Sequence, residues 1–147
     1  MTTASAPPPS RPVTPDELVR YHTRHKLLLM AHAPAAVVDL GRLVAGSGGG
    51  DLDDIWRQYD EIFRATLAAP PSRGGHVNAL QHAVGYFRGV VTDSDRRDIV
   101  RSIDLYAAGA SSLAAPMRTI RAHAEQHGIQ YLLDQVYLTS AGEFDDH

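Results

Sequence analysis

Apolar residues recur along this chain at intervals of three or four positions, which is the spacing of one face of an α-helix. Six segments show this pattern, and each is bounded by a proline, a glycine or a capping residue. No segment alternates between apolar and polar residues as a β-strand does. The pattern predicts an all-α, single-domain bundle of about six to seven helices. The predicted helices cover about 14–31, 34–45, 51–68, 76–91, 92–109 and 113–127, with a short last helix within 129–138.

Local signals mark several of the helix ends. Thr14 and Glu17 have the spacing of a capping box, and Pro15 suits the first turn of a helix. The sequence "GSGGG" at 46–50 breaks the chain after the second helix. It lacks the Lys and the Ser or Thr of a phosphate-binding loop, so we interpret it as a linker. Gly128 ends the sixth helix.

Composition predicts one helical domain, 13–138, with a tail at each end. Residues 1–12 are rich in Pro, Ser, Thr and Ala and are predicted to be disordered. Residues 139–147 are predicted to form a polar, acidic tail. The full length of 147 residues suffices for one domain with its own hydrophobic core.

Charge and residue counts argue against several functions. With 14 Lys and Arg against 17 Asp and Glu, the chain lacks the positive charge that binding to duplex nucleic acid requires. Because it has no Cys, it cannot hold an iron–sulfur cluster of its own. It shows no secretory signal and no apolar run near the ~20 residues that span a bilayer, which predicts a cytoplasmic protein without a membrane partner. The chain is also rich in histidine, with eight His residues.

The polar side of the fourth predicted helix carries amides, an imidazole, an arginine and two glycines where a solvated face normally carries Glu and Lys. At about 100° per residue this polar sector adjoins a face formed by Val77, Leu80 and Val84. Amides and imidazole can bind the edge of a heterocycle, and arginine can bind a phosphate or carboxylate. We interpret the sector as a ligand pocket; alternatively, its glycines allow a second helix to pack closely. Its members are Asn78, Gln81, His82, Gly85, Arg88 and Gly89.

The first predicted helix carries a second group of candidate residues. His22 and His25 lie one turn apart on a face that also holds leucines, so their rings could share one ligand. His82 or His76 could complete the set. The candidate ligands for a divalent metal are His22, His25 and His82, since zinc accepts three protein nitrogens and a water. Without a metal, His25 and His82 are candidate catalytic acid–base groups, because imidazole titrates near neutral pH.

Each of these histidines has a competing interpretation. A single His on an apolar helix face is more often a hydrogen-bonded core residue than a ligand. We favour that interpretation for His22, and still more for His123 and His127. His147 is terminal and is given no role.

Several blocks of the sequence resemble the YbgA-like family of bacterial proteins. They are "HKLLLMAHAP", "LGRLVAG", "HVNALQHAVGYFRG" and "YLLDQVYL", with a proline and a histidine of the sixth helix before the last block. The resemblance covers about 14–138. In that family the domain is often fused to a cysteine-rich iron–sulfur domain resembling thiouracil desulfidases, and its genes can neighbour photolyase genes. The resemblance thus implies a role near modified nucleobases, nucleotides or nucleic-acid damage, with an iron–sulfur desulfidase-like protein as a partner.

The family pattern carries over onto positions that overlap the two groups of candidate residues. Arg88 stands where the pattern has a lysine, so the charge is kept. A basic residue that the pattern has shortly before "HVN" is a glycine here, and the chain lacks an arginine and a proline–leucine pair between Tyr106 and Pro116. If that arginine binds ligand in relatives, this chain has another ligand. The matching positions are His25, Lys26, His32, Gly41, His76, Asn78, Gln81, His82, Gly85, Tyr86, Pro116, Gln135 and Tyr137.

We therefore expect a pocket between the first and fourth predicted helices that binds, or acts on, a nucleobase- or nucleotide-like small molecule. Lys26 and Arg88 would meet its anionic group, and His25 and His82 would transfer protons. One alternative is a metal-dependent enzyme with histidine ligands. Another is a non-catalytic adaptor or single-stranded nucleic-acid-binding module for an iron–sulfur or DNA-repair enzyme. The candidate ligand-binding residues are Lys26, His32, His76, Asn78, Gln81, Gly85, Tyr86, Arg88 and Gln135.

Overall fold

The computed structural model describes residues 11–139. Within them the chain forms nine α-helices and no β-strand, which confirms the predicted all-α class. The predicted tails, 1–12 and 139–147, lie almost entirely outside the described residues and stay predictions. The helices are α1 (Pro15–Arg24), α2 (Lys26–His32), α3 (Pro34–Ala45), α4 (Leu52–Leu67), α5 (Arg73–Val84), α6 (Asp93–Ala107), α7 (Ala114–His127), α8 (Gln130–Leu133) and α9 (Val136–Thr139).

Capping residues begin and end several helices where the sequence predicts. Thr14 Oγ1 accepts a hydrogen bond from the Glu17 backbone N–H at 3.1 Å, and the Glu17 carboxylate accepts one from the Val13 N–H at 2.7 Å. Thr92 caps α6 in the same way. α7 ends at Gly128, whose φ of 63° is left-handed. These contacts satisfy backbone groups that a helix end leaves without intrahelical partners.

The first predicted helix is interrupted, and α1 and α2 meet at His25. In a continuous helix the Leu27 N–H would donate to the Thr23 carbonyl. Here the amide of Gln135 lies between them: its Oε1 accepts from the Leu27 N–H at 3.1 Å, and its Nε2 donates to the Thr23 carbonyl at 2.6 Å. A side chain inserted into the helical hydrogen-bond ladder produces a kink. The prediction of one helix up to Ala31 is therefore wrong.

Helix α5 begins and ends earlier than its pattern predicts. Ser72 caps it through its side chain, so the helix starts at Arg73. At the other end the chain tightens into a 3₁₀ turn, Gly85–Phe87, and then passes through Gly89, whose φ of 74° is left-handed. The predicted continuation of this helix to residue 91 is wrong, because the glycines divert the backbone.

Two groups of buried side chains form the core, and α2 lies between them. One group joins α1, α3 and α4 around Leu18, Leu40 and Tyr59. The other joins α5, α6 and α7 with the short helices α8 and α9. Leu29 of α2 belongs to the first group and Leu27 to the second. The position of this one short helix therefore connects the two halves of the bundle.

The backbone of α5 comes close to the backbone of α2 at Gly75. A Cβ atom placed on Gly75 would lie under 3.0 Å from the carbonyl oxygen of Ala31, closer than real Cβ atoms come. A glycine is thus required at this position if α5 is to pack on α2. Within residues 11–139, no helix combines the length and the apolar character that a membrane span needs.

Candidate functional site

The polar sector of the fourth predicted helix faces away from the core. The side chains buried by α5 and the turn after it include Ala79, Leu80, Ala83 and Phe87. At about 100° per residue these lie roughly opposite the centre of the polar sector. The sector is therefore part of the protein surface and does not face α2. Its exposed members are Gln81, His82, Gly85, Arg88 and Gly89, and Asn78 is half-buried.

Two of the predicted ligand-binding histidines make hydrogen bonds within the protein. The Nδ1 of His32 donates to the Ala69 carbonyl at 2.8 Å. His76 is buried, with its Nδ1 2.6 Å from the Tyr137 hydroxyl. Lys26 is half-buried at the start of α2. Each of the two histidines therefore already has a hydrogen-bond partner within the protein.

His22 and Tyr59 form a buried hydrogen-bonded pair between α1 and α4. The Tyr59 hydroxyl lies 2.8 Å from the Nδ1 of His22. Burial raises the pKa of Tyr59, so its hydroxyl stays protonated and donates. Burial, followed by repulsion from Lys26 and His25, lowers the pKa of His22 to about 4, against the effect of a hydrogen bond to the Val37 backbone. His22 is therefore neutral near pH 7.

The structure does not bring the three predicted metal ligands, His22, His25 and His82, to one point. The Nδ1 of His25 donates to the Tyr21 carbonyl at 2.6 Å, and the two rings stack with their centroids 4.3 Å apart. Burial lowers the pKa of His25. His82 is exposed on α5. The hydrogen bonds of His22 and His25 match the competing interpretation, in which they are core residues.

The low pKa of His22 predicts that acid destabilises the fold. An unfolded histidine has a pKa near 6.5, so unfolding below that pH takes up a proton that the folded state excludes. This contribution to stability is complete above about pH 6.5 and is lost as the pH falls toward 4. Between pH 7 and pH 5 we expect the free energy of unfolding to fall by about 2 kcal/mol from His22 alone.

Urea unfolding followed by circular dichroism at the two pH values measures this loss. His22→Gln should flatten the pH dependence, because the substituted side chain does not titrate. His82→Gln, at an exposed position, is the matched control and should leave the slope unchanged. An unchanged slope in His22→Gln would show that other groups cause the acid sensitivity.

A groove of about 600 Å³ lies between α1 and the segment that contains α8. On one side, Arg20 and Arg24 are exposed and stand one turn apart on α1. Neither forms an ion pair with a carboxylate among residues 11–139. On the other side, the ring of Tyr131 stacks on Tyr86, with centroids 4.1 Å apart and planes inclined by 13°. The groove is lined by Pro12, Glu17, Arg20, Tyr21, Thr23, Arg24, Tyr131, Asp134 and Gln135.

One predicted site residue lines this groove and a second contacts its lining, but most of the lining was not predicted. Gln135 lines it, but its amide is occupied by the backbone at the α1–α2 break. Tyr86 supports the ring of Tyr131. The pair of arginines could have been found from the sequence, because Arg20 and Arg24 have the i, i+4 spacing that places two side chains on one helix face. The position of Tyr131 opposite these arginines depends on tertiary packing, so no local sequence pattern predicts it.

Three side chains from α6 and α7 also come together, away from the predicted residues. They are Asp95, His123 and His127, and each offers one potential ligand atom within 4.8 Å of the others. From the sequence, both histidines are predicted to be hydrogen-bonded core residues. Their i, i+4 spacing, which puts both rings on one face of α7, is the signal that could have singled them out.

Comparisons with known proteins identify the family but not an activity. Residues 26–140 match the family described as "Protein of unknown function (DUF1722)". The "Uncharacterized protein YbgA" of Escherichia coli (strain K12) is 32% identical over 126 residues, which cover 85% of this chain and 75% of that protein. No solved structure gives a significant match. Since the family match spans most of the chain, and a relative of this identity covers as much, the protein belongs to the YbgA-like DUF1722 family.

Proposed function

We propose that the protein binds a small nucleotide-like molecule, and that the groove between α1 and α8 is its binding site. Two features of the groove carry the proposal. One wall holds two guanidinium groups that have no carboxylate partner among residues 11–139, and the other wall holds a stacked tyrosine. A ligand that suits both walls has an anionic group and a planar ring. A nucleoside monophosphate has both.

The arginine wall suits a phosphate. Arg20 and Arg24 are four residues apart on α1, which corresponds to a rise of about 6 Å. Guanidinium groups bind phosphate oxygens through two parallel N–H donors, and charge-assisted hydrogen bonds are the stronger kind. Because neither side chain is held by a carboxylate among the described residues, a phosphate would not have to displace an ion pair.

The opposite wall suits a planar ring with polar edges. Tyr131 is half-buried and is held by its stack on Tyr86, so little side-chain freedom is lost when a base packs against it. Aromatic rings bind bases through stacking, which contributes about 1–3 kcal/mol per base. Asp134 and Glu17 add carboxylates that can accept from a ribose hydroxyl or an exocyclic amine. The volume of about 600 Å³ falls in the range of small-molecule sites.

This proposal assigns binding rather than catalysis to the groove. Among the described residues its lining includes no histidine, so neither His25 nor His82 is part of it. Two of the residues expected to bind the ligand have an indirect role in this proposal. Gln135 holds the break between α1 and α2, and Tyr86 holds the ring of Tyr131. The anionic group is met by Arg20 and Arg24 instead of Lys26 and Arg88.

Isothermal titration calorimetry with the four ribonucleoside monophosphates tests the proposal on the full-length protein. At least one monophosphate should bind, and its nucleoside and inorganic phosphate should each bind more weakly, since each engages one wall. Arg24→Ala removes a charged donor, which costs about 1.5–3 kcal/mol or roughly 10- to 100-fold in affinity. Tyr131→Leu should also weaken binding while keeping an apolar side chain in place.

Arg42→Ala is the matched control, because Arg42 is an exposed helical arginine on α3, outside the groove. It should leave the affinity unchanged. If no monophosphate binds, or if Arg42→Ala weakens binding as much as Arg24→Ala does, the groove is not a nucleotide site.

A further inference from the structure

The side chains of Asp95, His123 and His127 form a compact cluster between α6 and α7. One carboxylate oxygen and one ring nitrogen from each histidine lie within 4.8 Å of one another. The histidine side chains are mostly covered, with 13% of His123 and 22% of His127 exposed. The groups therefore face each other in a partly dehydrated space that solvent can still reach.

Two ring nitrogens in this cluster are buried without a hydrogen-bond partner. The Asp98 carboxylate accepts a hydrogen bond from the Nε2 of His123 at 3.0 Å. The Nδ1 of the same ring has no partner among residues 11–139. The Nε2 of His127 is likewise buried and without a hydrogen bond, and it lies 3.7 Å from an Asp95 oxygen. A buried polar atom without a partner costs roughly 1–3 kcal/mol, so such atoms are uncommon in folded proteins. Both ring nitrogens are therefore available to a ligand that the two histidines share.

We propose that Asp95, His123 and His127 together bind one divalent ion of the first transition row, such as zinc. The ligand atoms are an Asp95 carboxylate oxygen, the Nδ1 of His123 and the Nε2 of His127. Imidazole nitrogens combined with a carboxylate suit zinc, iron, cobalt and similar ions, whereas magnesium and calcium prefer oxygen ligands alone. This site lies outside the groove proposed to bind a nucleotide and does not depend on it.

The surroundings of the cluster have the features of a metal site. Asp98 accepts from the Nε2 of His123, and ligating histidines usually donate their second ring N–H to such a carboxylate. The Phe87 ring packs edge-on against His123, with centroids 6.4 Å apart, and forms an apolar wall. Metal–ligand bonds of about 2.0–2.2 Å require the three atoms to move closer together than 4.8 Å. Rotation of the side chains can provide this movement, because all three lie on helix surfaces.

Three protein ligands leave a tetrahedral ion with one open position. Structural zinc sites fill all four positions with protein ligands, whereas sites that keep a water or a substrate use three. The cluster thus fits an ion that retains an exchangeable ligand. The competing interpretation is a pair of histidine–carboxylate ion pairs that join α6 to α7 without any metal.

The test uses untagged, full-length protein that has been stripped with a chelator and titrated with Co²⁺ and then with Zn²⁺. We expect one equivalent of Co²⁺ to bind with visible d–d absorption bands, and Zn²⁺ to displace it. His123→Ala and His127→Ala should each weaken Co²⁺ binding at least ~100-fold. Asp98→Asn, which disturbs only the support of His123, should weaken it about 10- to 100-fold. His82→Ala removes an exposed histidine from another helix and should leave binding unchanged.

Circular dichroism of each variant shows whether it is folded, and the titration of the wild-type protein decides the question independently of the variants. If the wild-type protein binds no Co²⁺ or Zn²⁺, or binds it as tightly after either histidine of α7 is replaced, the proposal is overturned. Equal loss in His82→Ala would also overturn it, because the binding would then reflect surface histidines.

Discussion

Gly75→Ala is expected to lower the free energy of unfolding by more than about 3 kcal/mol. The added Cβ would come under 3.0 Å from the Ala31 carbonyl oxygen, and that atom belongs to the backbone of α2, so no side-chain rotation can relieve the contact. Overpacking of a core costs about 1–3 kcal/mol when side chains can adjust. Here two helices must separate, and α2 packs into both halves of the core. Urea unfolding followed by circular dichroism, with a Tm that should fall by roughly 10 °C, measures the loss.

The neighbouring Gly74 gives a matched control. A Cβ placed there would meet only the Ser72 Oγ, at 3.8 Å, which is an ordinary contact. Gly74→Ala exchanges the same residue types in the same helical turn, and helix propensity favours alanine by up to about 1 kcal/mol. It should therefore be neutral or slightly stabilising. Equal stabilities of the two variants would show that α5 can move off α2 at no cost, in contradiction to the packing argument.

Much of the fold is predictable from the sequence because its signals are local. Thr14 and Thr92 each cap a helix by accepting from a backbone N–H three residues further on, and Gly128 ends α7 through its own backbone conformation. The interruption of the first predicted helix is different. It depends on Gln135, 108 residues beyond Leu27, and no pattern within residues 14–31 reveals it.

The orientation of α5 shows why the candidate site was harder to predict. Its most buried face includes two alanines, Ala79 and Ala83, which pack closely because they are small. A wheel weighted toward large aliphatic residues extends the core face to Val77 and Val84, which are only half-buried at its edge. The exposed polar sector is then placed directly beside the core face. Helix wheels give faces, whereas the neighbour of each face is set by tertiary packing.

The histidines illustrate the same limit in chemical terms. The positions of His22 and His25 among leucines suggest a shared ligand, but a buried ring nitrogen needs a partner. The Tyr59 hydroxyl and the Tyr21 carbonyl provide one partner for each ring. The imidazoles that can bind a further ligand are those with a buried nitrogen that has no hydrogen-bond partner within the described part of the chain, as in His123 and His127. Whether a nitrogen has a partner is a property of three-dimensional packing, so spacing along the chain can nominate a histidine but cannot assign its role.

Gln135→Leu should destabilise the protein by roughly 3 kcal/mol, the second large effect that we expect. Gln135 is fully buried, and its amide satisfies both the Leu27 N–H and the Thr23 carbonyl at the break between α1 and α2. Leucine fills a similar volume but satisfies neither group, and each backbone group left without a partner costs about 1–3 kcal/mol. The two groups could bond to each other only if α1 and α2 became one continuous helix, which would pull α1 away from α3.

Gln135→Glu distinguishes the two hydrogen bonds of the Gln135 amide, one to the Leu27 N–H and one to the Thr23 carbonyl. A carboxylate can still accept from the Leu27 N–H, but its oxygens would face the Thr23 carbonyl without a donor, so this variant should also be destabilised at neutral pH. Hydrogen exchange at the Leu27 amide distinguishes the two, because protection there should be lost in Gln135→Leu and retained in Gln135→Glu. Gln126→Leu, at an exposed position on α7, is the control and should change neither quantity. If Gln135→Leu is as stable as the control, the helices have rejoined, and the break is a consequence of packing elsewhere rather than of this amide.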